Sequence, residues 1–136
     1  MIPGPFGLRW AERLKPRIEH SELCSYDPAT KYRVRRWLEL APRIGEDIFL
    51  KLYTHGTQER HSKYLLDGGL ETTLSLITSE CRRVSLDLHF STAWEMRRAV
   101  DRAHRGDGRF THQEEHVGVA ELQVTSHTKK LVSACR

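Results

Sequence analysis

The stretch IFLKLYTHGTQER, residues 48–60, decides how the chain is read. Ile48, Phe49, Leu50 and Leu52 form an almost unbroken apolar run that includes Lys51 and Tyr53 and stops at Thr54-His55-Gly56. A run this short, bounded by a turn residue, predicts a buried strand over 48–54 with His55 at its carboxyl end. Gly56 lets the backbone turn sharply there. Side chains alternate along a strand, so Ile48, Leu50, Leu52 and Thr54 share one face while Lys51, Tyr53 and His55 share the other.

Working outward, LDLHF at 86–90 alternates in the same way and predicts a second strand. Between the two, a short helix runs to Leu66, Gly68-Gly69 breaks it, and Leu70, Leu74, Ile77, Cys81 and Val84 recur at helical spacing. After the second strand, Thr92 and Glu95 make a T-x-x-E capping box for a helix that turns Met96, Ala99, Val100 and Ala103 toward the core. Strand, helix, strand, helix is a βαβ unit, whose strands lie parallel with a right-handed crossover. Upstream, Asp27-Pro28 predicts the start of a helix over about 28–41, with Val34, Trp37, Leu38 and Ala41 inward and Arg33, Arg35, Arg36 and Glu39 elsewhere. Residues 1–26 hold three of the five prolines and keep neither period, which reads as an extended, irregular arm. Residues 105–136 are glycine-punctuated and polar, with one strand-like run from Val117 to Val124, and read as a tail.

The 136 residues suit one domain and are too few for a complete α/β barrel of about 250. The 22 basic and 18 acidic residues are interspersed, so the net charge of +4 forms no stripe and argues against a nucleic-acid partner. Cys24, Cys81 and Cys135 stand far apart in odd number, which fits reduced thiols better than a disulfide framework. No apolar run approaches a membrane span and MIPGPFGLRW is not laid out as a signal peptide, so the expectation is a cytoplasmic chain with no membrane partner.

The second strand repeats the two-faced pattern of the first: Leu86, Leu88 and Phe90 on one side, Asp87, His89 and Ser91 on the other. Two such polar faces suggest a barrel interior or a crevice at the strands' carboxyl ends, where α/β folds place their sites. His55 there can serve as general acid, general base or metal ligand. Lys51, Asp87 and His89 line a substrate site or simply face solvent. Glu59 and Glu95 read either as catalytic carboxylates or as first-turn acids favoured by the helix dipole. Trp94 can offer an aromatic face to a substrate or pack under a loop. THQEEH, 111–116, contains H-x-x-E-H, a zinc-peptidase spacing, but no second helix follows to give a third ligand, and a solvated turn is the better reading.

The runs IPGPFGLRW, PRIEH, RVRRWLELAPRIGEDIFLKLYTHGTQER, LLDGGL and LHFSTAWEMRRAV resemble the carboxyl-terminal part of bacterial polysaccharide deacetylase-like proteins of the glycoside hydrolase/deacetylase β/α-barrel superfamily, over about residues 2–103. The resemblance implies an α/β fold: a truncated barrel segment over 27–104, a parallel βαβ unit within it, and the irregular arm at 1–26. It also implies a carbohydrate-active hydrolase acting on a polysaccharide precursor. Such deacetylases use an Asp-His-His metal triad and an Asp base from early strands, and a late-strand histidine as general acid; that last role would fall to His55. No segment here matches the early aspartate or paired-histidine motifs, so a divalent metal is implied only with a missing amino-terminal half. The alternatives are a non-catalytic carbohydrate-binding or assembly module, or a remnant without function of its own. In a truncated barrel, unpaired sheet edges would favour self-association.

Overall fold

The computed structural model describes residues 3–11, 15–55 and 58–107, and the backbone course of 129–135. Among these residues the chain is a mixed α/β protein with one two-stranded ribbon and one four-stranded sheet. The ribbon pairs β1 (Phe6–Ala11) antiparallel with β2 (Lys15–His20), in register from Phe6↔His20 to Ala11↔Lys15. Helix α1 (Lys31–Leu40) follows, then β3 (Arg43–Ile44), β4 (Asp47–Leu52), α2 (Glu59–Tyr64), α3 (Leu70–Arg83), β5 (Leu86–Ser91), α4 (Ala93–Arg105) and β6 (Lys129–Cys135).

The sheet order is β3-β4-β6-β5. Strands β4 and β5 both run parallel to β6, so they are parallel to each other, as the βαβ reading requires. They are not neighbours, however: the crossover leaves a slot, and β6 fills it. The described strands form an open sheet and no closed barrel. Ile48, Leu50 and Leu52 are buried against Val34, Trp37 and Leu38 of α1 and Ile77 and Cys81 of α3, with Leu86 and Leu88 of β5 packed on the same core. On the opposite face Phe49 packs with Met96 and Ala99 of α4 in a second, smaller core. The face that carries Lys51, Tyr53 and His55 is thus apolar at Phe49 and polar toward the carboxyl end of β4.

Three further expectations are corrected. The arm over 1–26 is not irregular; most of it is the β1–β2 ribbon, and residues 21–23 then run beside Tyr53, with Leu23 N donating to Tyr53 O at 2.8 Å. The tail is not merely an appendage, because 129–135 supplies the strand between β4 and β5. Helix α1 starts at Lys31, later than Asp27-Pro28 suggests. Thr30 is its cap, accepting from Arg33 N at 3.2 Å, while Asp27 is engaged by Arg9 and Arg33. The break at Gly68-Gly69 is a kink within Leu65–Gly69 that joins α2 to α3, with Asp67 and Gly68 outside helical geometry. Gly68 has φ +95, and a Cβ on buried Gly69 would stand 2.6 Å from the carbonyl oxygen of Tyr64, so both positions require glycine. The capping box forms as expected: Thr92 Oγ1 accepts from Glu95 N at 3.3 Å and Glu95 Oε2 accepts from Thr92 N at 2.6 Å. Gly56, the H-x-x-E-H stretch and the Val117–Val124 run lie outside the described residues.

Candidate functional site

The carboxyl end of β4 gathers several titratable side chains from two parts of the chain. Residues 21–23 bridge to Tyr53 in parallel, which carries His20 and Glu22 alongside the strand end. Tyr53 Oη lies 3.1 Å from His20 Nδ1, and that nitrogen lies 3.9 Å from Glu22 Oε2. Tyr26 Oη donates to the same carboxylate oxygen at 3.2 Å. The Tyr53 and His55 rings meet edge to face at 5.9 Å. Glu22 is buried, Tyr53 half-buried and His55 exposed, so the cluster runs from a shielded carboxylate outward to a histidine in solvent.

Burial and the negative charge of Glu22 push the Tyr53 phenol up. Its hydrogen bond with Cys24, then burial and the charges of Cys24 and Glu22, push Tyr26 up to about 12. Both phenols therefore keep their protons at neutral pH, and Tyr26 donates its proton to the carboxylate. Sequence reasoning missed His20, Glu22 and Tyr26, because nothing in the 1–26 stretch announces that it will run beside β4. It also missed His61, which is buried in α2 with Nδ1 accepting from Ser25 N at 3.1 Å. That bond pins the turn after residue 23 and brings Tyr26 edge-on to His61 at 5.4 Å.

The residues singled out from the sequence fall into two groups. At β4, His55 joins the cluster just described, Lys51 is half-buried one step inside it, and Glu59 is exposed in the first turn of α2. At β5, His89 Nε2 lies 3.3 Å from Asp87 Oδ2, within hydrogen-bond reach, on the face opposite Leu88. Beyond the strand, Trp94 is 69 % exposed and the Glu95 carboxylate is held in the capping box. Strand β6 lies between the groups, so they stand two strand spacings apart, about 10 Å. That is too far for His55 and the β5 group to touch one atom.

Among the described residues, no three His, Cys, Asp or Glu side chains gather as a metal-ligand set. The described residues thus gather no metal site of their own, and the resemblance implies a metal only with a missing amino-terminal half. Two open grooves, of about 630 and 580 Å³, lie away from His55. One runs between α3 and Phe90, the other between Pro28 and the kink at Gly68.

The ribbon carries an exposed apolar surface of its own. Alternation puts Phe6, Leu8 and Trp10 on one side of β1, opposite His20, Ile18 and Pro16 of β2. Phe6, Leu8, Trp10 and Ile18 are all exposed, while Arg9 and Glu19 on the other side are buried against α1. Among the described residues no helix is long and apolar enough to cross a membrane. No protein-family model, no curated protein and no solved structure matches this chain.

Proposed function

We propose that this chain is the carboxyl-terminal, sugar-facing portion of an intracellular carbohydrate-active hydrolase of the polysaccharide deacetylase-like kind, with its strands forming part of a β/α barrel. On this reading it holds substrate and offers one general acid, His55, but does not turn substrate over by itself. The observation that carries the reading is the location of His55, exposed at the carboxyl end of a buried parallel strand and backed by Tyr53, His20 and Glu22. Parallel α/β folds build their sites at that end. A histidine there can pass its proton to the amine that leaves when an amide bond is cleaved. Lys51, Asp87, His89 and Trp94 supply hydrogen bonds and an aromatic face on the neighbouring side of the same edge, while Glu59 flanks His55. No step is assigned to a metal, since the described residues do not assemble a set that would hold one. The buried free thiols of Cys24 and Cys81 support an intracellular setting.

Affinity electrophoresis through gels containing acetylated or deacetylated amino-sugar polymers, run beside an assay for released acetate with divalent metal added, tests this. The expected result is retardation by the acetylated polymer, weakened roughly threefold to tenfold by Trp94→Ala, with no acetate released. Absence of retardation on every polymer overturns the sugar-facing reading; acetate release by the chain alone overturns its dependence on a further portion. A second reading, a non-catalytic assembly module, is favoured by the outward apolar face of the ribbon, an area of the kind that marks a protein interface. Binding of a protein partner that Trp10→Ser abolishes, with no affinity for any polymer, would select it.

A further inference from the structure

The two flanks of the four-stranded sheet are unlike. The β4 flank is covered: β3 pairs with its first two residues, and the 21–23 backbone pairs beyond its end, Tyr53 N donating to Ser21 O at 3.3 Å. Strand β5 is the last of the described strands on the other flank. Its sequence, LDLHFS, has none of the lysine, proline or glycine with which edge strands commonly discourage pairing.

We infer that β5 pairs antiparallel with β5 of a second copy of this chain, about a two-fold axis through Leu88, to make one continuous eight-stranded sheet. The register follows from the residues. A two-fold axis normal to a sheet keeps each side chain on its own face, so only alternate registers are geometrically allowed. With Leu88 opposite Leu88 of the second copy, Leu86 faces Phe90 and Asp87 faces His89, twice over by symmetry. The apolar pairs fall on the face that carries α3. There Phe90, 48 % exposed, lines the groove of about 630 Å³ with Leu70 and Leu74, and Leu86 of the second copy is delivered against it. On the other face each Asp87, which within one chain pairs with His89 at 3.3 Å, gains a second histidine across the axis.

The neighbouring registers are worse. Centring on Asp87 opposes two carboxylates, and centring on His89 opposes two imidazoles while setting Asp87 against Ser91; like groups directly opposite destabilise a strand pair. The arrangement is isologous and closes on itself. Because the β4 flank is already covered, it ends at two copies rather than growing into a filament.

Sedimentation velocity over a range of chain concentrations, together with oxidative cross-linking of Leu88→Cys, tests the inference. The wild type is expected to sediment as a dimer, and Phe90→Lys, folded by circular dichroism, to dimerise at least about tenfold more weakly. Leu88→Cys is expected to form a covalent dimer that the wild type does not, since residues facing each other across the axis are within disulfide reach. This second variant decides the matter if Phe90→Lys fails to fold. A wild type that stays monomeric throughout overturns the inference. A dimer that survives in folded Phe90→Lys and is not captured by Leu88→Cys overturns it as well. None of these readouts depends on sugar binding.

Discussion

The ribbon and the four-stranded sheet solve the same burial problem with opposite polarity. In the sheet, Ile48, Leu50 and Leu52 face the helices and the charged residues lie outward, as the hydrophobic effect dictates. In the ribbon, the side against α1 carries Arg9 and Glu19, and the apolar side faces solvent. What makes the ribbon stable is a matched set of partners on α1. Glu19 Oε1 accepts from Arg33 Nε at 3.0 Å and from Trp37 Nε1 at 2.6 Å, while Arg9 Nε stands 2.7 Å from Glu19 Oε2. Arg33 also donates to the backbone carbonyls of His20, Asp27 and Pro28 and lies over the Trp37 ring. The sheet core needs only shape and apolarity; the ribbon contact needs each donor opposite its acceptor. The difference teaches that one helix can serve both logics, since Trp37 is buried in the sheet's core while its indole N–H holds the ribbon's carboxylate.

The comparison breaks most visibly at the ion network. Glu19→Ala leaves two buried guanidinium groups with Asp27 as their remaining carboxylate and strands the Trp37 indole N–H, and urea unfolding is expected to show a loss of about 3 kcal/mol. Replacing Arg9, Glu19 and Arg33 together by apolar residues of similar volume should recover most of that loss, because the buried charges then vanish with their desolvation cost. If the triple replacement is as unstable as Glu19→Ala, the network matters through packing rather than charge. In the sheet, Leu50→Ala opens a cavity in a fully buried position and is expected to cost about 3 kcal/mol in the same measurement. No second substitution in that core should restore it through charge.

A third probe lies where α3 meets α1, at buried Glu80. Hydrogen bonds from Arg35 and Arg83 hold the Glu80 carboxyl down to about 2 from its usual 4.5. Its folded value is lowered, so its contribution is complete above the unfolded value and disappears as pH falls from about 4.5 toward 2. Glu80→Gln should lower the thermal midpoint at pH 7 by roughly 5 °C, and the gap from wild type should close near pH 2. A gap that stays constant across that range would show that the carboxylate charge is not the cause. The smallest effect is expected on the ribbon's outer face: Trp10→Ser should change stability by less than about 0.5 kcal/mol while reducing the binding of an apolar fluorescent dye. A large loss of stability there would mean that the face is covered.

The same contrast explains what could be read from residues alone. Strands β4 and β5, the Gly68-Gly69 break and the Thr92 capping box obey ordinary polarity rules and stand where the spacing puts them. The ribbon defied those rules: its apolar residues point outward, and Gly7 and Pro16 interrupt it, so the stretch read as irregular. Gly7 lies close under Leu40, whose methyl groups a Cβ there would meet at 2.7 Å and displace. Arg33 was placed with the outward residues of α1 for the same reason, though it is among the most buried side chains. Strand β6 escaped notice because KKLVSAC lacks the alternation that marks a half-buried strand, and a strand between two parallel neighbours need not show it. Of the site, His55 at the end of β4 was legible from the apolar run that delivers it. His20, Glu22 and Tyr26 were not, because their approach to Tyr53 depends on a bridge between residues about thirty apart in sequence.

The insertion of β6 between β4 and β5 also has a consequence for how the protein is made. A ribosome delivers β4, then α2, α3, β5 and α4, and only afterwards the strand that joins β4 to β5. Until then the nascent chain can assemble α1, α3 and β4 around their apolar contacts, but both inner sheet edges stay bare. Sheet closure is thus a late, long-range event in a vectorial process. The interval before it is when these edges are open to chaperones and to wrong partners.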